Sequence, residues 1–464
     1  MTRTSQASIS IPLIREEVAG QVVGPDDSEY DRARQVFLPM FDRRPAVIIR
    51  PADAREVAYV VSLARDSGLE LAVRSGGHSS AGHGVSEGGI VLDLSLMKGL
   101  EIDPEGRTVW AETGLTAGEV TTAAAAHGLG VGFGDTASVG IGGLTLGGGV
   151  GYLVRKHGLT IDDLLAAEIV TADGRLVRAD SAENPDLFWA IRGGGGNFGV
   201  ATRFQFRLHP VDTVTGGMLI LPATPEVVAG FITAAEEAPE ELSTIANVMA
   251  APPMPFLPEE HHGELVVFAM LVHVGPSDEG ERALAPFRAL ATPIVDMLKP
   301  MSFPEIYPPE EGEYRPLAAA RTLFVDTVDR GVAEEILDHL RASTAQMPVA
   351  QLRVLGGAMS RVPADATAFA HRRSRIMANV AAVYTTPEEA PIHEAWVTEF
   401  ADALRQSDPG AYVNFVADEG EEGVRAAYPE PTREPLAAIK RRYDPDNLFR
   451  LNQNIAPAPD GSAP

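Results

Sequence analysis

The chain contains no cysteine. That excludes disulfides, cysteine-ligated zinc, iron–sulfur clusters and thiol nucleophiles together. Lysine is almost as scarce: Lys98, Lys156, Lys299 and Lys440 are the only four in 464 residues, and none sits in a GxxxxGKS/T context, so there is no P-loop. No apolar run approaches the ~20 residues of a membrane-spanning helix, the longest being Leu265 to Val274. Positive charge is short as well. The 38 basic and 64 acidic residues give a formal charge of −26, with no basic cluster to offset it. A surface of that sign repels polyphosphate and anionic lipid, so neither nucleic acid nor membrane is expected as a partner. The N-terminal residues hold neither an apolar signal core nor a twin arginine, which points to a cytoplasmic location. HExxH and EF-hand patterns are missing. His261 and His262 lie among Glu259, Glu260 and Glu264 and read as a solvated acidic loop, so no metal is expected.

What the chain has in excess is glycine. The 45 glycines are about 10% of the residues, against about 7% in ordinary proteins. Of these, 28 fall between Gly76 and Gly199, roughly a quarter of the length. Glycine concentrated in one region marks backbone brought close to something. The remaining composition, 45% hydrophobic and 22% charged, is that of a globular protein, long enough for two or three domains.

Ala46–Arg50 reads as a buried strand, Asp53 as the N-cap of a helix through Ser67, and Glu70–Arg74 as a second strand, a βαβ-like unit. Strands at Ile90–Leu94 and Arg107–Glu112 precede a helix from Thr116 to His127. A hairpin turning at Asp173-Gly174, a helix from Pro185 to Arg192 and a strand at Val200–Leu208 follow. From Val211 glycine thins out. Strands are expected at Met218–Leu221, Leu265–Val274, Ala350–Leu355 and Met377–Tyr384, with helices at Glu226–Glu237, Glu279–Leu290, Ala333–Thr344 and Ile392–Gln406. That is an α+β unit around an antiparallel sheet, with two similar halves consistent with a duplication. A last stretch, with a strand at Val413–Val416 and a helix at Arg433–Tyr443, is too short to stand alone and should dock onto a larger unit.

Three glycine-dense loops beside strand ends suit a phosphate-bearing ligand, because successive main-chain N–H groups form anion-binding concavities. With so few lysines, the neutralising dipoles must come from the backbone. The one literal GxGxxG, Gly194 to Gly199, follows a helix and precedes a strand, the reverse of the order a Rossmann fingerprint needs, so NAD is rejected.

Five segments carry a family resemblance: Arg74-Ser-Gly-Gly-His-Ser79, Ser138-Val-Gly-Ile-Gly-Gly143 with Gly147-Gly-Gly-Val-Gly-Tyr152, Arg155-Lys-His-Gly-Leu159, Asp186 to Gly199, and Tyr443 to Asn454 with its Asn-Leu-Phe-Arg-Leu-Asn-Gln-Asn ending. In this order, over nearly the whole chain, they resemble the berberine bridge enzyme-like FAD-linked oxidases, with an FAD domain of the para-cresol methylhydroxylase (vanillyl-alcohol oxidase) type. The resemblance implies an α+β fold in two parts. Residues 1–210 and the berberine-bridge-type segment 410–464 would together form the FAD-binding domain. Residues 211–409 would form the substrate domain, its antiparallel sheet backed by helices and roofing the flavin.

The resemblance also assigns sites. His78 would carry a single covalent bond to the flavin 8α-methyl, a reaction open to a neutral imidazole. Thr136 stands where many relatives place a second, cysteine link. Val139 matches the position gating oxygen beside the flavin, where valine goes with oxidases. Tyr412 matches a base over the substrate, which needs a cationic or hydrogen-bonding neighbour to ionise. The cofactor contacts implied are Arg74, Ser75, Gly76, Gly77, His78 and Ser79, then Thr136, Ser138, Val139, Gly140, Gly142, Gly143 and Gly149. Asn197, Gly199, Val200, Tyr412, Asn414, Asn452 and Asn454 complete the set. His371, Arg321 and Tyr384 read as salt-bridge or packing residues before cleft residues. The expected activity is hydride transfer from a small organic substrate (alcohol, sugar, amine or secondary metabolite) to FAD, with molecular oxygen reduced to hydrogen peroxide, in a monomer or homodimer. A dehydrogenase, an oxygen-inserting flavoenzyme of secondary metabolism and a flavin-binding module without turnover stay open as alternatives.

Overall fold

The computed structural model describes residues 9–307 and 315–459. Three sheets carry the α+β architecture. The first is ordered Gln21–Val23, Val47–Arg50, Ile90–Asp93, Leu71–Arg74. Its helix, Ala54–Ser67, forms where expected. The Asp53 carboxylate accepts the N–H groups of Arg55 and Glu56 at the start, and Gly68 ends it at φ 67°. Val57, Val60, Val61 and Ala64 are fully buried on one face, each valine stabilising by about 1.5–3 kcal/mol. One detail corrects the βαβ reading. The strands at Val47–Arg50 and Leu71–Arg74 do not pair, because Ile90–Asp93, buried along its whole length, lies parallel between them.

The second sheet is antiparallel, in the order Leu100–Asp103, Thr108–Glu112, Val200–Arg207, Leu164–Val170, Leu176–Asp180. The third is the largest. Its first half runs strand Thr213–Pro222, helix Pro225–Glu237, strands Leu242–Ala250 and Leu265–Val274, helix Ser277–Arg288. The second half repeats the order with strand Leu317–Val325, helix Arg330–Ala342, strands Met347–Val354 and Ile376–Tyr384, helix Ala390–Leu404. The halves meet where Leu242–Ala250 pairs with Met347–Val354, and the strand order on each side is mirrored. The element pattern is therefore that of a duplication. The four helices bury one face of the sheet through Phe231, Phe287, Leu337 and Phe400.

The C-terminal stretch docks. Tyr428, Leu436 and Tyr443 share a core with Phe204 and Phe206, and Phe449 enters the core under the first sheet beside Val57 and Ile90. Its helix spans Glu430–Tyr443, preceded by another at Gly420–Ala427 that the sequence reading missed. The strand expected at Val413–Val416 is instead a turn: the N–H groups of Phe415 and Val416 both donate to Tyr412 O, at 2.8 and 3.2 Å, so the segment has no strand to pair with. No helix among the described residues is long and apolar enough to cross a membrane.

Candidate active site

A cavity of about 520 Å³ opens between these sheets, within the range of ligand sites. Its floor begins where Leu71–Arg74 ends. Arg74 is buried and donates to Asp93 Oδ2 (2.8 Å) and to the carbonyls of Ala33 (2.6 Å) and Gln35 (3.1 Å), so its charge is spent on holding the strand end. Ser75 Oγ donates to Thr113 O at 2.5 Å and accepts from Gly142 N at 3.2 Å. Gly76 and Gly140 stand back to back. A Cβ on either would lie within 2.3 Å of the other's nitrogen, so these glycines serve the close approach of two loops. Gly77 (φ 73°) turns the chain, and the His78 ring stacks on Phe37 at 4.3 Å with Nε2 3.1 Å from Ser138 Oγ. Ser79 Oγ accepts from the N–H groups of Ala81 and His83 and staples the loop. Burial pushes His83, on the same wall, down to about 4, leaving it uncharged at neutral pH.

The second wall comes from the glycine-rich segment. Thr136, Val139, Gly140, Gly142 and Gly143 line it, the last three at the start of the short helix Ile141–Leu146. Gly199 and Val200 line the third wall with Asn197, which is fixed by Gly194 O, Gln453 O and Ile455 N. Asn452 closes it, donating to Gly196 O and Phe449 O. Tyr412 and Asn414 reach in from the turn: Tyr412 Oη accepts from Gly149 N and from Asn414 Nδ2, both at 2.9 Å. Burial raises the Tyr412 phenol above its ordinary value, against the pull of Asn414, the Gly149 and Val150 amides and Arg353.

Of the catalytic and cofactor-binding residues that the resemblance implies, all but Ser138, Gly149 and Asn454 line this one cavity. Ser138 and Gly149 touch it through His78 and Tyr412, and Asn454 does not line it. His371, Arg321 and Tyr384 do not line it. His371 is buried with Nε2 against Ala427 O, Arg321 lies beside helix Ala390–Leu404, and Tyr384 stacks on His393. The sequence reading missed the roof, where Ala320, Gln351, Arg353 and Asn379 project from the large sheet and Asp135 faces them.

The lining suits a flat anionic dinucleotide. Gly143 and Gly196 have nothing within 4 Å of where a Cβ would stand, so both leave room that only the cavity occupies. Asn452 Oδ1 is a buried acceptor without a partner, ready for an N–H donor. The two lining arginines are each paired with an aspartate, which leaves main-chain N–H groups to meet a diphosphate.

Comparison with known proteins agrees. An FAD binding domain family model matches residues 45–180, and a berberine and berberine-like model matches residues 411–456. The (R)-6-hydroxynicotine oxidase of Paenarthrobacter nicotinovorans is 30% identical, covering 97% of this chain and 99% of its own. The solved 6-hydroxy-D-nicotine oxidase of Arthrobacter nicotinovorans superposes with a TM-score of 0.85 at 28% identity, over 95% of this chain and 98% of that one. A glucooligosaccharide oxidase of Acremonium strictum, described with a 6-S-cysteinyl, 8α-N1-histidyl FAD, shares the fold at a TM-score of 0.84 and 23% identity, over 97% of this chain and all of its own. With a relative at this identity over nearly its full length, and both family models lying on segments that frame the cavity, the chain is an enzyme of the berberine bridge enzyme-like family of FAD-linked oxidoreductases.

Proposed function

We propose that this enzyme is an oxidase of a small organic substrate, with FAD seated in the 520 Å³ cavity and tethered once, through His78. In this reading residues 1–210 and 410–464 form the flavin-binding body and residues 211–409 the substrate body. The observation that carries it is the convergence of His78, the glycine-rich wall, Tyr412 and the C-terminal Asn452 on one cavity roofed by the large sheet. When bound, FAD supplies the redox chemistry, accepting hydride from substrate carbon and passing electrons to oxygen. The protein supplies position and charge. Main-chain N–H groups around Gly140 and Gly143 would hold the diphosphate, and the unpaired Oδ1 of Asn452 would accept from a ring N–H. Tyr412 Oη, fed by two N–H donors, is the group built to take a proton from the substrate. Val139 lines the cavity, and its short side chain is in keeping with access for oxygen.

A single tether is supported by the chain's chemistry, since a cysteinyl bond of the kind described for the glucooligosaccharide oxidase needs a residue this sequence lacks, and Thr136 occupies the wall instead. Acid precipitation tests the tether. A pellet that stays yellow in the wild type and loses colour in His78→Ala supports it, and a colourless wild-type pellet refutes it. Oxidase action is tested by reducing the enzyme without oxygen and mixing it with aerated buffer. Rapid return of the oxidised spectrum with one peroxide per flavin is expected, and Val139→Leu should slow that return by about tenfold or more. Slow return in the wild type would make the enzyme a dehydrogenase.

A further inference from the structure

A one-way chain of hydrogen bonds joins the glycine-rich wall to the roof. Asp135 Oδ2 accepts from Arg353 Nη2 at 2.5 Å. Arg353 Nε and Nη2 both donate to Gln351 Oε1, at 3.0 and 2.7 Å. Gln351 Nε2 then donates to Asn247 Oδ1 (2.9 Å), and Asn247 Nδ2 to Phe268 O (3.2 Å). Because a guanidinium only donates, it dictates the orientation of each amide beyond it. Arg353 is 4% exposed and lies over the Phe415 ring at 5.3 Å, so it has no freedom to turn away.

Two groups on the roof are left over. Arg353 Nη1 and the amide of Asn379, the cross-strand register partner of Gln351, have no hydrogen-bond partner among the described residues, and both residues line the cavity. The roof therefore offers a substrate N–H donors and one amide oxygen. What it does not offer is a free carboxylate, since Asp135 is the only carboxylate among the described lining residues and Arg353 already occupies it. An ammonium entering here would lose its water, find no free counter-charge and face a guanidinium, so its binding is disfavoured. A hydroxyl or hemiacetal oxygen would be met by Arg353 Nη1 and by both atoms of the Asn379 amide.

We propose that the substrate is an uncharged, hydroxyl-bearing molecule oxidised at a carbinol carbon, and that the Arg353–Asp135 pair is the device that excludes ammonium-bearing compounds. The balance is that of an alcohol oxidation: H–C–O–H loses two electrons and two protons to become C=O, and oxygen gains them to become hydrogen peroxide. The inference rests on the reading that the cavity seats the flavin.

The test uses flavin-loaded enzyme at about pH 6.5, where amines carry their proton. Benzyl alcohol is compared with benzylamine, and glucose with glucosamine, by perturbation of the flavin spectrum and by bleaching without oxygen. The alcohol of each pair should bind at least about tenfold more tightly. In Arg353→Gln, which frees the Asp135 carboxylate, the preference should move about tenfold toward the amine, and Arg353→Lys should keep the wild-type order. An amine preference in the wild type, no response to either member of a pair, or an unmoved preference in flavin-loaded Arg353→Gln overturns the proposal while the cofactor reading stands. Protein that shows no flavin band even after reconstitution overturns the cofactor reading and takes this proposal with it.

Discussion

Lys440 and Asp444, four residues apart at the end of the last long helix, form an ion pair at 2.6 Å in which neither side chain is exposed. The Lys440 ammonium also donates to Asn197 O and Phe449 O, both at 2.8 Å, and Asp444 accepts the N–H groups of Leu448 and Phe449. One buried cation thus ties the C-terminal segment to two residues of the cavity wall. Lys440→Met should cost about 3–5 kcal/mol, because it strands a buried carboxylate. The measurements are the urea midpoint and the flavin retained after gel filtration, both of which should fall. Replacing the pair together, by Lys440→Met with Asp444→Leu, should recover part of the midpoint. A single variant as stable as the wild type would show that the pair only fills space.

That pair also marks how far the sequence can be read. Helix Ala54–Ser67 was legible because cap, apolar face and terminating Gly68 are all local. The strands Leu242–Ala250 and Leu317–Val325 were not. The first carries Ser243, Thr244 and Asn247 in a strand buried on both sides, and the second is alanine-rich and reads by propensity as helix. The floor and walls of the cavity were legible through loop motifs whose residues are neighbours in the chain. The roof was not, because Asp135, Arg353 and Asn379 meet only through the pairing of strands far apart in sequence, and no local spacing encodes that register. Val413–Val416 failed for the converse reason: its β-branched residues favour a strand, but the chain there closes on Tyr412 O.

Two glycines on the same wall should respond oppositely. Gly143 lies inside a helix with helical backbone and open space beyond it, so Gly143→Ala should leave the flavin-free protein as stable or up to about 1 kcal/mol more stable, while flavin occupancy drops. Gly140 faces the Gly76 nitrogen at 2.2 Å from a built Cβ, so Gly140→Ala should lose stability as well as flavin. Thermal melts of both variants, read beside the ratio of flavin to protein absorbance, separate room for a ligand from room for a neighbouring loop. Full flavin occupancy in Gly143→Ala would place the cofactor elsewhere.

Tyr412 makes a prediction about pH. Burial holds its phenol above the ordinary value near 10, so only a small fraction is ionised at neutrality, and that fraction grows tenfold with each pH unit. If Tyr412 takes the substrate proton in the slow step, kcat should climb by about tenfold per unit through the neutral range without a plateau below about pH 10. Tyr412→Phe should abolish that slope. Asn414→Leu, which removes one of the two N–H donors to the phenol oxygen, should lower the rate at every pH and keep the slope. A wild-type plateau near neutrality would assign the base to another group.

A second pH dependence concerns stability and lies away from the cavity. The rings of His157 and His209 stack at 3.8 Å, 13° from parallel, and His209 Nε2 sits 2.7 Å from Asp163 Oδ1. Burial first, and then the nearby His209 and Lys156, push His157 down to about 3, whereas in the unfolded chain it titrates near 6.5. The folded state therefore binds fewer protons in that interval, so this contribution is complete above about pH 6.5 and is lost as the pH falls toward 3. Asp163, which burial holds above the carboxylate range, works in the opposite direction in the acid part of that window, so the wild-type slope is a difference of the two. His157→Phe isolates the histidine, since it keeps the ring stack, removes the titrating group and deletes an Nε2 that is buried without a partner. The unfolding midpoint of the variant should match or exceed the wild type at pH 8 and fall less steeply between about pH 6.5 and 4. Equal slopes for the two proteins would mean that His157 is already neutral-to-charged without cost, and that the acid sensitivity of the fold resides in other groups.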